Sequence, residues 1–164
     1  MNTSEEFRGH AVVMQPNEGP SFWQPVPANG HAETKLIPAN TKFQGLSMGY
    51  QTIAVGGHVR EHCHSDQVEL QICFRGKGHV NIDGQRHGLV PGSSCFLGYD
   101  VKHEIHNDGD EDLVMMWVIT PAGLEDFFET IGIPRSVGEA APQPFDRPKD
   151  VISIERSMGM NDTR

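Results

Sequence analysis

The sequence predicts an all-β chain, and three observations carry that prediction. Eighteen glycines and eleven prolines are spread through 164 residues, too many turn formers for a chain of long helices. The apolar segments are short and punctuated by Gly, Pro, Asn and Asp, as strands joined by tight turns are. Finally, Ala32 to Ile37 and Leu46 to Val55 alternate with period two and are rich in β-branched residues.

The elements follow in order. Residues 1 to 10 read as loosely held, and His10 to Met14 is apolar enough for an edge strand. Pro16, Pro20, Pro25 and Pro27 then argue against regular pairing until about Asn29, which makes 1–31 an extended arm. Phe22 and Trp23 have no core of their own there, so they are expected to pack on the main body or across a subunit interface. In the strand from Leu46, Met48, Tyr50 and Thr52 share one face. Gly56-Gly57 bends the chain into the next strand, which if regular turns His58, Arg60, His62 and His64 the same way and Cys63 the other.

From Glu69 to Phe74, Gln71 and Cys73 lie on the face of Glu69, and Leu70, Ile72 and Phe74 on the opposite one. That second face is apolar and requires cover, from another sheet or a sister subunit, which motivates a homodimer. His79 to Ile82 and Gln85 to Val90 are strands joined by Asp83-Gly84, a two-residue hairpin signal, with His79 and His87 expected at the surface. After the Pro91-Gly92 turn, Ser94 to Leu97 forms another strand, and Val101 to Asn107 points His103 and Ile105 inward and His106 outward. Leu113 to Thr120 is apolar on both faces, so Met115, Met116 and Trp117 read as core. Barrel strands thus occupy 32–120. Past Pro121, Leu124, Phe127, Phe128 and Ile131 recur at helical spacing until Gly132, 134 to 148 is linker-like, and Asp150 to Met158 fits a short helix that must dock to be stable, so 121–164 is a helical segment and tail.

Composition bounds the function. Thirteen basic against 22 acidic residues give a net charge of −9, leaving no positive field for nucleic acid or anionic lipid. No run approaches the roughly 18 apolar residues of a spanning helix, and the amino end lacks a basic region followed by an apolar one, so the expected location is the cytoplasm. Cys63, Cys73 and Cys95, odd in number and irregularly spaced, argue against a disulfide framework. The length suits one domain with a single core.

Chemistry concentrates between Gly56 and Gly76. His62 and His64 converge on one point, and Glu69, at odd parity, joins them only if Ser65-Asp66-Gln67 breaks the strand. His103 is the candidate third imidazole. Neutral nitrogens with one carboxylate suit divalent iron, manganese, nickel, cobalt or zinc rather than calcium or magnesium.

These residues resemble the two cupin motifs: a glycine, five residues, His62-x-His64, four residues, Glu69, six residues and Gly76, then Pro91-Gly92, His103 and Asn107. Ser93 stands where the family often has aspartate, and no proline directly precedes the histidine. The resemblance implies a double-stranded β-helix (jelly-roll) barrel, followed here by the short helical addition, with His62, His64, Glu69 and His103 holding one divalent transition metal per chain, iron foremost.

Such a site leaves two open positions on an octahedral ion, room for a bidentate substrate or for substrate and dioxygen together. The chain is similar to the quercetinase-like and diketone-cleaving cupins. That likeness makes a dioxygenase acting on a small enolisable, hydroxy-keto or aromatic compound the first expectation, with Glu69 as catalytic proton acceptor. The same ligands serve a redox-neutral isomerase, lyase or decarboxylase, or a non-catalytic binding module. Regular strand parity would put Arg60, Gln71, Cys73, Tyr50 and Met48 around the substrate, with Arg60 able to pair with Glu69 or a substrate carboxylate.

Overall fold

The computed structural model describes residues 9–162. Two antiparallel sheets face one another. The larger is built from β1 (Ser21–Trp23), β2 (His31–Leu36), β3 (Ser47–Ile53), β5 (Val68–Arg75), β8 (Ser94–Leu97), β10 (Leu113–Thr120) and β11 (Ile133–Pro134), and the smaller from β4 (His58–His64), β6 (Gly78–Ile82), β7 (Gln85–Leu89), β9 (His103–Asn107) and β12 (Met160–Asp162). Their orders are β11-β1-β2-β3-β10-β5-β8 and β12-β4-β9-β6-β7. From β3 to β10 the chain crosses between the sheets at every connection except the β6–β7 hairpin, as a jelly roll requires. Among the described residues, three short helices accompany the sheets: α1 (Pro38–Thr41), α2 (Leu124–Ile131) and α3 (Val151–Ser157). None is long and apolar enough to cross a membrane.

The central strand of the larger sheet is β10, between β3 and β5. Leu113, Met115, Trp117 and Ile119 point inward and are essentially buried, which explains its apolar sequence. Trp117 lies directly opposite Gly49 of β3, where an added Cβ would sit 2.6 Å from the indole and 2.1 Å from the Glu33 carbonyl oxygen. The glycine is there because ring and backbone occupy that space. Between β6 and β7, Asp83 and Gly84 both take positive φ (48° and 80°), the two-residue hairpin geometry expected from the sequence.

Instead of the expected single core, two apolar clusters form. Ile53, Cys73, Val80, Leu89, Ile105, Leu113 and Met115 fill one end of the barrel. At the other, Trp117 and Ile119 meet Phe22, the buried face of α2, Val151 and Met160. The amphipathic face read from Leu124, Phe127, Phe128 and Ile131 is thus the lid of the barrel, and α3 docks beside it through Val151. Glu125 and Asp126 in the first turn of α2 complement its dipole.

The stretch expected to be an unpaired arm is partly sheet. Ser21–Trp23 pairs with both β2 and β11, because the prolines at 20 and 25 bracket four residues, three of which form the ladder. Phe22 and Trp23 are buried, as anticipated, whereas His10 to Met14 forms no strand. His79, expected at the surface, is buried. Its ring stacks on His106 at 4.6 Å, His106 stacks on His58 at 5.0 Å, and Nδ1 is 2.5 Å from the Asp108 carboxylate. Cross-strand neighbours on the outer face of the small sheet cover it, which single-strand alternation does not reveal.

Candidate metal centre

Three strands bring four side chains together. His62 and His64 end β4, Ser65 to Gln67 break the strand, and β5 brings Glu69 back beneath them, while His103 opens β9 directly across from His62. The break solves the parity problem that the sequence posed. One ligand atom from each of His62, His64, Glu69 and His103 falls within 4.8 Å of all the others. Ligands on opposite sides of an ion at roughly 2.1 Å are about 4.2 Å apart, so a small inward movement suffices to close on a metal.

The donor atoms are oriented for that purpose. His62 Nδ1 lies 2.8 Å from the Arg60 carbonyl oxygen and His103 Nδ1 lies 3.0 Å from that of Val101. A carbonyl only accepts, so each Nδ1 carries the proton and each Nε2 keeps a lone pair for a metal. Glu69 Oε2 sits 3.5 Å from His64 Nε2 and 3.4 Å from His103 Nε2, and none of these three buried atoms has a hydrogen-bond partner among the described residues. Orphaned buried polar atoms that converge are costly unless something fills the space between them, and a cation does so. The other Glu69 oxygen, Oε1, accepts a hydrogen bond of 2.7 Å from Gln71 Nε2.

Electrostatics agree with a cation site. Burial alone would raise the Glu69 pKa, but His103 and His64 more than offset it, so the carboxyl is held ionised. Burial, with the neighbouring His103 and His64, pushes His62 well below its ordinary value and keeps its imidazole neutral. Burial also opposes charge on His103, yet the Glu69 carboxylate outweighs it and raises that pKa.

His62 and Glu69 form part of the wall of a cavity of about 80 Å³, on a measure in which one water fills roughly 10–15 Å³. The cavity therefore suits a small substrate. Gln51 and Gln71 line it from the larger sheet, Phe127 and Phe128 from α2, and Arg147 and Glu155 from the carboxyl-terminal segment. Of the substrate contacts expected from the sequence, Gln71 and Arg60 are on this wall. Arg60 does not reach it by regular alternation. A register shift between Val59 and His62 resets the parity of β4, so Val59 joins the core and His58 turns outward onto His106.

Cys73, Tyr50 and Met48 do not line the cavity. Cys73 is in the core cluster and its thiol contacts the Arg75 and Gly76 carbonyls. Tyr50 and Met48 occupy the outer face of the larger sheet, where Tyr50 meets Phe74 edge-on at 5.3 Å. The inward residue that follows Tyr50 is Gln51, which faces the cavity and is not singled out by the sequence. Gly49 opposite the inward Trp117 marks the correct parity, but only the pairing of β3 with β10 reveals it. Arg147 and Glu155 carry no local signal at all, since one sits in a proline-punctuated run and the other on a helix of seven residues.

Residues 49–119, holding all four converging side chains, match the family model described as a cupin domain. The barrel has the cupin fold. Among curated proteins, 92 residues of this chain are 26% identical to polyketide synthase CurC of Streptomyces cyaneus, over 56% of the chain. The chain spans only 60% of CurC's length. A similar stretch is 25% identical to protein SchB of Streptomyces halstedii, covering 67% of it. A predicted oxalate decarboxylase from Thermotoga maritima superposes with a TM-score of 0.58 at 22% identity, over 68% of this chain and 100% of that one. For a cupin described as a sugar phosphate isomerase, from Silicibacter pomeroyi, the TM-score is 0.57 at 16% identity, over 68% and 77% of the two chains. These structural likenesses establish the fold and assign no reaction.

Proposed function

We propose that this cupin is a metal-dependent enzyme that oxygenates a small enolisable keto compound. The observation that carries the reading is Glu69: a buried, ionised carboxylate with one oxygen among the metal-site imidazoles and the other held by Gln71 at the wall of a small cavity. A divalent ion at His62, His64, Glu69 and His103 would supply Lewis acidity toward a keto oxygen and, if it is iron, access to dioxygen.

The chain's own groups account for the rest. Glu69 is the proton acceptor for a C–H bond flanked by carbonyl groups. The C–H electron pair moves onto the keto oxygen and the proton goes to Oε1, the oxygen shared with Gln71. Gln51 and Gln71 orient keto oxygens by donating their amide N–H groups. Phe127 and Phe128 exclude water from the enolate. Both atoms of dioxygen then enter the cleaved products. The polyketide synthase name of one relative supports this substrate class, because polyketide chains are runs of enolisable β-ketones.

The test is metal analysis of protein purified without chelator, followed by oxygen-electrode measurements with enolisable diketones. Stoichiometric iron and one dioxygen consumed per substrate is the expected result. Turnover without oxygen uptake moves the assignment to isomerase, lyase or decarboxylase chemistry at the same site, and a protein that takes up no metal on reconstitution overturns both.

A further inference from the structure

The cavity has a second charged pole that the metal centre does not use. Phe145 accepts a backbone hydrogen bond of 2.9 Å from Val26 N–H, which ties the segment after α2 to the amino-terminal stretch that also lines the cavity. Two residues later, Arg147 forms part of the cavity wall with only 16% of its side chain exposed. Its Nη2 donates to Glu155 Oε1. Its Nη1 is buried and has no hydrogen-bond partner among the described residues.

Such an arrangement is poor as a purely structural ion pair. Burying a guanidinium is unfavourable unless its donors are satisfied, and one of them is not. A planar guanidinium with one nitrogen held and another unspent is matched to an anionic oxygen that reaches it from the cavity. Charge counting gives the sign and size of that anion. The cavity wall carries Arg60 and Arg147 against Glu61, Glu69 and Glu155. Adding a divalent ion at the metal centre leaves one excess positive charge, so a monoanion neutralises the site. A phosphate, which carries nearly two charges at neutral pH and more bulk, fits both the charge and the small volume less well.

We propose that Arg147 anchors a carboxylate of the substrate, so that the enolisable compound is a small keto acid held by its carboxylate at Arg147 and by its keto oxygens at the metal end. This rests on the enolisable-substrate reading above. Glu155 holds the guanidinium in place until the substrate carboxylate shares it, and the two contacts together fix which carbon faces Glu69.

The test is anaerobic isothermal titration calorimetry of the metal-loaded protein with acetylpyruvate and with acetylacetone, which share the enolisable diketone and differ in the carboxylate. The wild type is expected to bind acetylpyruvate about 10- to 100-fold more tightly, the worth of a hydrogen bond to a charged group. Arg147→Gln removes that preference while its affinity for acetylacetone and its metal content stay at wild-type level, a pattern that general loosening of the segment does not produce. Glu155→Gln keeps the shape, frees the guanidinium and tightens acetylpyruvate alone, and it tests the anchor even if Arg147→Gln fails to fold. Equal affinity of the wild type for the two diketones, or an unchanged preference in either variant, overturns the anchor and leaves the enolisable-substrate reading standing. If neither diketone binds the wild type, that reading falls and the anchor falls with it.

Discussion

Gln71 Nε2 donates a 2.7 Å hydrogen bond to Glu69 Oε1, two residues earlier on the same face of β5. The bond turns Oε2 toward His64 and His103, so Gln71 is a positioning residue for the candidate metal centre rather than a member of it. Gln71→Leu is expected to weaken metal binding by roughly 10- to 100-fold, the usual range for losing a partner of a ligand. Competition with a calibrated chelator measures it. Unchanged affinity would show that the backbone alone orients Glu69.

We propose the ligand set His62, His64, Glu69 and His103 on the convergence of their donor atoms. His62→Ala and His103→Ala are expected to lose the metal by elemental analysis, whereas Cys63→Ser retains it. The Cys63 thiol points away from the cluster, 3.8 Å from the Asn161 carbonyl oxygen. Metal loss in Cys63→Ser would mean that the thiol side of β4 supports the site.

Gly49→Ala is expected to destabilise the fold by about 1–3 kcal/mol, the range for overpacking, because its new methyl would collide with the Glu33 carbonyl and the buried Trp117 ring. Urea unfolding followed by tryptophan fluorescence reads the shift. A midpoint within error of wild type would mean that β3 moves aside freely.

Asp108 is held below its ordinary carboxylate pKa chiefly by its hydrogen bond to His79. A depressed folded-state pKa contributes stability above the unfolded value of 3.8 and loses it as pH falls through the lower folded value. The stability difference between wild type and Asp108→Asn should therefore be present at pH 6 and shrink below about pH 4. A pH-independent difference would mean that Asp108 acts through its shape alone.

The outer face of the larger sheet remains uncovered: Leu70 is 43%, Phe74 61% and Phe96 69% exposed. We propose that a second copy of the chain covers it, since an apolar sheet face of this kind is usually an interface. Light scattering at micromolar concentration is expected to give a dimer for wild type and a monomer for Phe74→Glu. A monomeric wild type would remove the proposal.

What the sequence determined by itself is what depends on local spacing. Glycine and proline punctuation with period-two alternation specified the strands. The His62-x-His64 spacing put two imidazoles on one face, because neighbours on one strand keep their relation wherever the strand goes, and the resemblance to the two motifs added Glu69 and His103 as candidates. The face of α2 was legible for the same reason. Tertiary structure decided the remainder. One extra residue in β4 between Val59 and His62 reverses alternation, and no local signal records it. The inward parity of β3, which exchanges Met48 and Tyr50 for Gln51 at the cavity, is set by pairing with β10. Arg147 and Glu155 reach the cavity only because a segment without regular structure is hydrogen-bonded to the amino-terminal stretch and α3 is docked on the core. Contacts between residues more than a hundred positions apart are a property of the closed barrel, where burial of α2 and Val151 against Trp117 and Ile119 outweighs the entropy of ordering the tail.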